Sequence, residues 1–135
     1  MESQELSAHA HCVYRISYHI VFVTKYRKKV LSPEMLNRLG EHFFRLCKNA
    51  GCELVEFNGE ADHVHLLVGA HPGITPSRLV NTFKTISSRE IRREFAADLA
   101  KHYWKPVLWH RAYCVLSAGG APLEILKKYI QQQGG

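Results

Sequence analysis

Two histidines separated by one apolar residue are the part of this sequence best suited to chemistry. His63 and His65 lie in the β-prone run 62–68, and side chains two apart on a strand point to the same face of a sheet. They would lie about 7 Å apart along the strand, so that both imidazoles could reach one metal ion. Near the C-terminus, Tyr129 and Gln133 are four residues apart on a helix-like stretch and share a face. This combination suggests metal-assisted attack by a tyrosine on a phosphodiester, and that is the hypothesis to be tested.

The spacing alone leaves structural alternatives open. The chain has 9 histidines in 135 residues, so a His-x-His pair can arise by chance. A second pair, His9-Ala10-His11, lies in a polar N-terminal segment and is interpreted as part of a solvated tail. His63 and His65 could equally be two partly buried, hydrogen-bonded strand residues. On helix statistics alone, Tyr129 would be an ordinary tyrosine at the edge of an apolar stripe.

The composition is that of one folded domain spanning residues 1–135. Hydrophobic residues make up 46% of the chain and charged residues 22%, as in ordinary globular proteins. No apolar stretch approaches the roughly 20 residues that span a bilayer, and the acidic N-terminus does not resemble a signal peptide. The four cysteines show no CxxC spacing and are expected to be reduced. We therefore expect a cytoplasmic protein without a membrane partner.

The formal net charge of +6 favours a polyanionic partner. Basic residues cluster in the loop 25–29, on a later helix around 84–93, and in the second half of the chain. Each cluster could be a solvated surface. Aromatic residues lie between the basic ones, and unpaired bases can stack on such rings while lysines hold the phosphates; these aromatic residues are Tyr26, Tyr103, Trp104 and Trp109. The net charge and the interleaved aromatic residues together favour a nucleic acid as the partner.

Hydrophobic periodicity and capping residues predict seven elements after a loose tail over residues 1–11. They are strands over 12–24, 53–58, 63–69 and 109–116, and helices over 33–49, from 76 onwards, and from 122 to about 133. A turn is predicted at Asn58-Gly59, and Gly119-Gly120 would be a hinge before a mobile last helix over 121–133.

The first six elements match a ferredoxin-like βαββαβ sandwich, an α+β fold with an antiparallel sheet covered by two helices on one face. The histidine strand would be central in that sheet. The last helix, which carries Tyr129, is not needed by the sandwich and could dock elsewhere.

Several motifs in this order resemble one family, the small single-strand DNA transposases of bacterial and archaeal insertion sequences (TnpA type) in the HUH endonuclease superfamily. The resemblance covers about residues 13–133 and is specific because independent motifs agree. The motifs are the strand and basic loop 18–31, the histidine strand 62–68, the segment 109–115, and Lys128-Tyr129-Ile130 with Gln133.

The resemblance implies roles for individual residues. Tyr129 would be the nucleophile, and His63, His65 and Gln133 would bind Mg²⁺ or Mn²⁺, of which manganese accepts nitrogen ligands more readily. Attack would leave a 5′-phosphotyrosine on the DNA and a free 3′-hydroxyl. The general base is not assigned.

The resemblance also implies partners: single-stranded DNA with hairpin ends, and a second copy of the chain in a homodimer whose tyrosine helix completes the partner's histidine site in trans. Lys25, Arg27 and Lys28 are candidate contacts to the DNA backbone. Asp62 could orient a ligand histidine by accepting a hydrogen bond from its other ring nitrogen, or it could cap a turn.

Three alternative functions stay open at this point. A non-catalytic ferredoxin-like module that binds single-stranded nucleic acid would explain the basic surface. A domesticated relative could cut repeated chromosomal palindromes. A hydrolytic metal phosphoesterase would use water and form no DNA–protein adduct.

Overall fold

The computed structural model describes the backbone of residues 7–9, 12–14, 16–117 and 123–132, and the side chains of residues 16–117 and 128–132. Its strands and helices are, in chain order, β1 (Ser7–His9), β2 (Cys12–Tyr14), β3 (Ile16–Val23), α1 (Pro33–Asn49), β4 (Glu53–Glu60), β5 (His63–Ala70), α2 (Pro76–Glu94), α3 (Ala96–Ala100), β6 (Cys114–Ser117) and α4 (Leu123–Gln132). A 3-10 turn, Lys25–Arg27, follows β3. Among these helices, none is long and apolar enough to cross a membrane.

Four strands form one antiparallel sheet in the order β4-β5-β3-β6. With α1 between β3 and β4, and α2 between β5 and β6, this is the ferredoxin-like βαββαβ arrangement. The predicted α+β fold is confirmed, and the histidine strand β5 is central. Its register with β3 pairs His65 with Val21 and His63 with Val23.

Helix α1 begins and ends where its sequence signals predict. The Ser32 hydroxyl accepts a hydrogen bond from the Met35 amide at 3.1 Å, and Pro33 occupies the first turn. The helix ends before Gly51, whose φ of 76° lies in the left-handed region that glycine adopts without strain. Helix α2 likewise begins at Pro76, but the side chain of Thr75 makes no capping hydrogen bond.

Helices α1 and α2 cover one face of the sheet and seal the main core. Phe22 of β3 stacks on Phe43 of α1 at 6.0 Å between ring centroids, and Phe43 contacts Phe83 of α2 at 5.9 Å. Val64 and Leu66 of β5 are fully buried in the same cluster. One set of alternating strand positions therefore supplies the core, as the period of two requires.

The hairpin between β4 and β5 differs from its prediction. Asn58 and Gly59 lie inside β4, and the turn falls at residues 61–62. A Cβ atom at Gly59 would lie 2.6 Å from Cδ2 of Leu36. The glycine therefore permits close packing of α1 on the strand, and the dipeptide that usually signals a turn has a packing role here.

The strand predicted over 109–116 is shorter in the structure, where β6 spans Cys114–Ser117. Trp109 forms only a single bridge with Thr24. Its side chain is buried in the core, and the indole Nε1–H donates to Ser87 Oγ at 2.9 Å. Trp109 is therefore not a base-stacking residue, because its ring is inside the core.

The N-terminal region also differs from its prediction. Within the expected tail, Ser7–His9 pairs antiparallel with Cys12–Tyr14, so the β-prone segment 12–14 belongs to a separate two-stranded sheet instead of extending β3. The side chain of His9, together with His11, Gly119-Gly120 and Gln133, lies outside the described residues.

Candidate functional site

Strand β5 directs His63 and His65 to the face of the sheet opposite α1 and α2. Val64, between them, is fully buried in the main core, whereas both histidines are partly buried. The pairing partners on β3 are Val23 and Val21, which belong to a second, smaller apolar cluster. The structure thus brings the two histidines to one face, beside the strand that this cluster is built on.

A third histidine, His19 of β3, joins this face and was missed in the sequence. Its Nδ1 lies 2.8 Å from Nε2 of His65, and the two rings stack at 5.0 Å between centroids. An imidazole–imidazole hydrogen bond needs one N–H and one lone pair, so at least one of these two nitrogens is unprotonated. His19 follows the alternation of β3, but its contact with His65 depends on the β3–β5 register.

The environment of His65 favours its neutral form. Burial lowers the pKa of His65 below its ordinary value, and the nearby His19 lowers it further. Neutral imidazole is the form that binds metal ions.

Asp62, at the turn before β5, holds the His63 ring. Its Oδ1 lies 2.9 Å from His63 Nδ1, and its Oδ2 accepts a hydrogen bond from Arg27 Nε at 3.0 Å. Burial acts to raise the pKa of Asp62, but the hydrogen bonds from His63 and Arg27 outweigh it and the pKa lies below its usual value. The carboxylate is therefore charged and accepts a hydrogen bond from Nδ1 of His63, which orients the ring and makes Nε2 the nitrogen that could bind a metal ion.

Arg27 connects this carboxylate to the last helix. Its Nη1 donates to the carbonyl oxygen of Gln131 in α4 at 3.1 Å, while Nε is bonded to Asp62. Of the three predicted DNA-backbone contacts, Arg27 is thus engaged within the protein. Lys28 Nζ donates to the carbonyl of His102 at 2.7 Å, and Lys25 lies with Lys28 along a surface cleft.

Tyr129 of α4 lies on the histidine face of the sheet. With Ile130 it packs against Val21 and Val23, the residues paired with His65 and His63. Its hydroxyl is buried without a hydrogen-bond partner among the described residues. Burial, with a smaller contribution from Cys114, raises the pKa of Tyr129 to about 12. In this position the phenol is protonated and contacts apolar side chains.

A separate group of possible metal ligands lies in the helix layer. Donor atoms of His42, Glu90 and Glu94 are within 4.8 Å of one another. Arg38 donates to Glu94 at 2.8 Å, and Arg45 lies 3.0 Å from Nδ1 of His42, whose Nε2 bonds to Glu94 at 3.0 Å.

Arginines therefore occupy the positions that a cation would take in this group. The hydrogen bond from Arg38 opposes the effect of burial and holds the pKa of Glu94 at about 2. We interpret this group as an ion-pair network that joins α1 to α2.

The histidine face offers two imidazoles as possible metal ligands. His63 is oriented by Asp62, and His65, whose lowered pKa favours the neutral form, lies on the same face. His65 Nε2 is bonded to His19, so this nitrogen would have to exchange its partner to bind an ion there. The third predicted ligand, Gln133, follows the last described residue of α4.

Comparison with known proteins identifies the class. A family model described as "Transposase IS200 like" matches residues 12–133. The ISDra2 transposase TnpA of Deinococcus radiodurans is 32% identical over 124 residues, which cover 90% of this chain and 86% of that protein. The transposase for insertion sequence element IS200 of Salmonella typhimurium is 31% identical over 124 residues, or 92% of this chain and 80% of that protein.

Solved structures agree with the fold. A candidate transposase from Deinococcus radiodurans R1 superimposes with a TM-score of 0.87 and 31% identity, covering 95% of this chain and 98% of that chain. A REP-associated tyrosine transposase bound to a REP hairpin gives a TM-score of 0.52 at 11% identity, covering 93% and 68%, and shows the fold alone. The chain belongs to the IS200-like transposase family.

Proposed function

We propose that this protein cleaves and rejoins single-stranded DNA at hairpin-bearing insertion-sequence ends, with Tyr129 as the nucleophile and a divalent metal ion as the assistant. Family membership supports transposition as the activity. The observation that carries the proposal is the position of Tyr129 on α4. It packs over Val21 and Val23, the strand neighbours of the two histidines, on the sheet face that the core does not use.

The proposed reaction exchanges one phosphodiester for another. The Tyr129 oxygen attacks phosphorus, the bond from phosphorus to the 3′ oxygen breaks, and the DNA retains a 5′-phosphotyrosine. The phenol loses its proton, and the departing 3′ oxygen takes one up to become a hydroxyl. Because one phosphate ester replaces another, the bond energy is retained and rejoining is the reverse reaction with a new 3′-hydroxyl.

His63, His65 and Gln133 are the residues that would hold Mg²⁺ or Mn²⁺. When bound, the ion would withdraw electron density from a phosphate oxygen and stabilise the charge that develops on the leaving oxygen. Asp62 would orient His63, and His65 would release its bond to His19 in order to bind.

Activation requires a change at α4. A buried phenol with a pKa of about 12 is a poor nucleophile at neutral pH, and its oxygen makes no hydrogen bond among the described residues. We therefore expect α4 to shift so that the hydroxyl faces the phosphate. Exchange of α4 between two subunits of a homodimer is one such shift, and the resemblance implies it.

The DNA partner is proposed from charge and similarity. The chain carries a net charge of +6, which favours association with phosphates. A structural neighbour is described as bound to a REP hairpin. Lys25 and Lys28 are the backbone contacts that we retain, because both line the surface cleft and the Lys28 ammonium group keeps N–H donors beyond its bond to His102. Arg27 is assigned to positioning because its Nε and Nη1 are bonded to Asp62 and Gln131.

Substitution of Tyr129 by phenylalanine tests the proposed function. Tyr129→Phe should abolish strand cleavage and adduct formation on hairpin-bearing single strands, because only the attacking oxygen is removed. Thermal unfolding should occur at an unchanged or higher temperature, since the lost hydroxyl has no partner. Cleavage is measured on sequencing gels, with Tyr113→Phe as the matched control. Cleavage by Tyr129→Phe at the wild-type rate would show that another group is the nucleophile.

Mixing two inactive variants tests the shared site. If α4 acts in trans, heterodimers of Tyr129→Phe and His63→Ala subunits regain one site with both wild-type groups. If it acts in cis, each subunit keeps its own defect and the mixture stays inactive. The readout is adduct formation after co-refolding or subunit exchange, and an inactive mixture of verified heterodimers would contradict the trans arrangement.

A further inference from the structure

A cleft lined by residues of the turn that follows β3 carries aromatic rings to which the proposed reaction assigns no role, beside lysines that include the proposed backbone contacts Lys25 and Lys28. It encloses about 330 Å³. Two of its walls are the aromatic residues Tyr26 and Trp104, and three lysines line it: Lys25, Lys28 and Lys105. Arg27, which follows Tyr26, bonds to Asp62. The turn Lys25–Arg27 therefore contributes residues to the cleft and also contacts Asp62, the residue that orients His63.

The two rings are displayed to solvent to an unusual degree. Trp104 is 93% exposed and Tyr26 is 59% exposed, while the other tryptophan of the chain, Trp109, is 6% exposed. Lysine ammonium groups lie near each displayed ring: Lys105 Nζ is 6.0 Å from the centroid of Trp104, and Lys25 Nζ is 5.3 Å from that of Tyr26. Flat apolar rings bordered by cations match the alternating bases and phosphates of a single strand.

The backbone at this turn is strained in order to present Tyr26. Tyr26 and Arg27 have φ values of 58° and 53°, in the left-handed region that residues other than glycine rarely adopt. Two such residues in succession persist only where the surrounding contacts hold them. The bonds of Arg27 to Asp62 and to the Gln131 carbonyl supply those contacts, so the same turn holds the histidine site and directs Tyr26 to the cleft.

The charge of the cleft selects the class of ligand. Among the described residues that line it there is no carboxylate. A neighbouring depression shares Tyr103, Trp104, Lys105 and Val107 with it and adds Arg92, which extends the basic border. A polyanion with flat rings fits this surface, whereas an apolar peptide would supply no anionic partner for Lys25 and Lys105.

We infer that this cleft binds an unpaired nucleotide of single-stranded DNA, with its base stacked on Trp104 and Tyr26 and its flanking phosphates held by Lys25 and Lys105. The inference rests on the proposed function and adds a base-binding subsite to it. Base recognition here is by stacking, so it tolerates any sequence.

The experiment compares two probes on the full chain. One is an oligothymidine strand of about 12 nucleotides, within the range of common single-strand site sizes, and the other is an abasic strand with the same phosphates. Trp104→Ala should weaken binding of oligothymidine about 5- to 100-fold, as expected for loss of one stacked base, and leave binding of the abasic strand unchanged. Trp104→Phe should bind nearly as the wild type does.

Phe44 offers a matched control, because it is 57% exposed with Lys48 Nζ 5.8 Å from its ring but does not line the cleft. Phe44→Ala should bind both probes as the wild type does. Intrinsic fluorescence gives a second readout. Oligothymidine should quench the wild-type protein, and most of that quenching should disappear in Trp104→Phe, which retains only the buried Trp109.

Three outcomes would overturn the inference: equal binding by Trp104→Ala and Phe44→Ala, an equal loss on both probes, or no binding of either probe by the wild type. The adduct assay judges the proposed function separately. Wild-type adducts together with unchanged binding by Trp104→Ala would reject the cleft alone. A selective loss in Trp104→Ala without any wild-type adduct would support the cleft and reject the cleavage proposal.

Discussion

The two faces of the four-stranded sheet are made by the same strands but differ in what they bury. On the helix face, Phe22, Val64 and Leu66 are fully buried beneath α1 and α2. On the opposite face, Val21 and Val23 are buried beneath α4. The histidines of this face are only partly buried; they are His19 of β3 and His63 and His65 of β5. One residue along a strand separates a core position from a site position.

This difference shows how a small domain can carry polar chemistry without weakening its core. The helix face is closed by a large apolar cluster, so substitutions on the other face remove few packed groups. Rigid strands also fix the spacing of the histidines better than loops would. The turn Lys25–Arg27 connects these strands to α4, because Arg27 donates to Asp62 and to the carbonyl oxygen of Gln131.

Adjacent residues of β5 should have opposite phenotypes, and this is the largest effect that we expect. His63→Ala should reduce cleavage more than about 100-fold, because loss of a proposed metal ligand should exceed the 10- to 100-fold effect of the residues that orient such a ligand. The unfolding temperature should change little. Val64→Ala should retain cleavage but lose about 1–2 kcal/mol of stability. Cleavage with Mn²⁺ and thermal unfolding are measured on both variants, and chelation of the metal should reproduce the His63→Ala defect. Retention of cleavage by His63→Ala would remove the histidine from the site.

Phe22 and Val21, adjacent residues of β3 on opposite faces of the sheet, extend the comparison to the free energy of unfolding. Phe22→Ala should cost about 3–5 kcal/mol because it leaves a cavity in the main core. Val21→Ala should cost only about 1–2 kcal/mol, since two methyl groups are lost beneath a partly exposed helix. Urea unfolding followed by circular dichroism gives both values. A cost for Val21→Ala as large as that for Phe22→Ala would contradict the assignment of Val21 to the smaller cluster.

The smallest effect concerns the link between the two parts of the site. Arg27→Gln should lower cleavage about tenfold, because Asp62 loses the hydrogen bond that helps it to orient His63. It should also speed amide hydrogen exchange in α4, because the helix loses its bond at Gln131. Stability should change by less than about 1 kcal/mol, since the Arg27–Asp62 pair is partly exposed. Arg93→Gln, which removes an exposed charge from the helix layer, is the control. Unchanged exchange in α4 would refute the coupling.

Local signals in the sequence were sufficient for the fold class and for the order of the six elements of the sandwich. Ser32 and Pro33 mark the beginning of α1, and Pro76 that of α2, because capping and proline geometry are properties of neighbouring residues. The prediction of a turn at Asn58-Gly59 was wrong, because Gly59 makes room for the side chain of Leu36, a residue distant in sequence. Packing between elements decides such positions, and no local pattern reveals it.

Local patterns also predicted one part of the candidate site, the shared face of its two histidines, but not the contacts made with those histidines. The common face of His63 and His65 follows from strand alternation alone. The contact between His19 and His65 depends on the register of β3 with β5. The two hydrogen bonds of Arg27 depend on the left-handed backbone of Tyr26 and Arg27, which non-glycine residues do not predict. The buried hydroxyl of Tyr129 depends on where α4 docks. These features arise from tertiary contacts, so sequence spacing cannot supply them.

Mapping the covalent product tests the central claim most directly. Wild-type protein is incubated with Mn²⁺ and a hairpin-bearing single strand labelled on either side of the scissile phosphate, and the adduct is digested and analysed by mass spectrometry. The account predicts one modified peptide, with the 5′-phosphate of the downstream DNA on Tyr129, and a released strand that ends in a 3′-hydroxyl. Modification of a different tyrosine, or cleavage without any adduct, would contradict it.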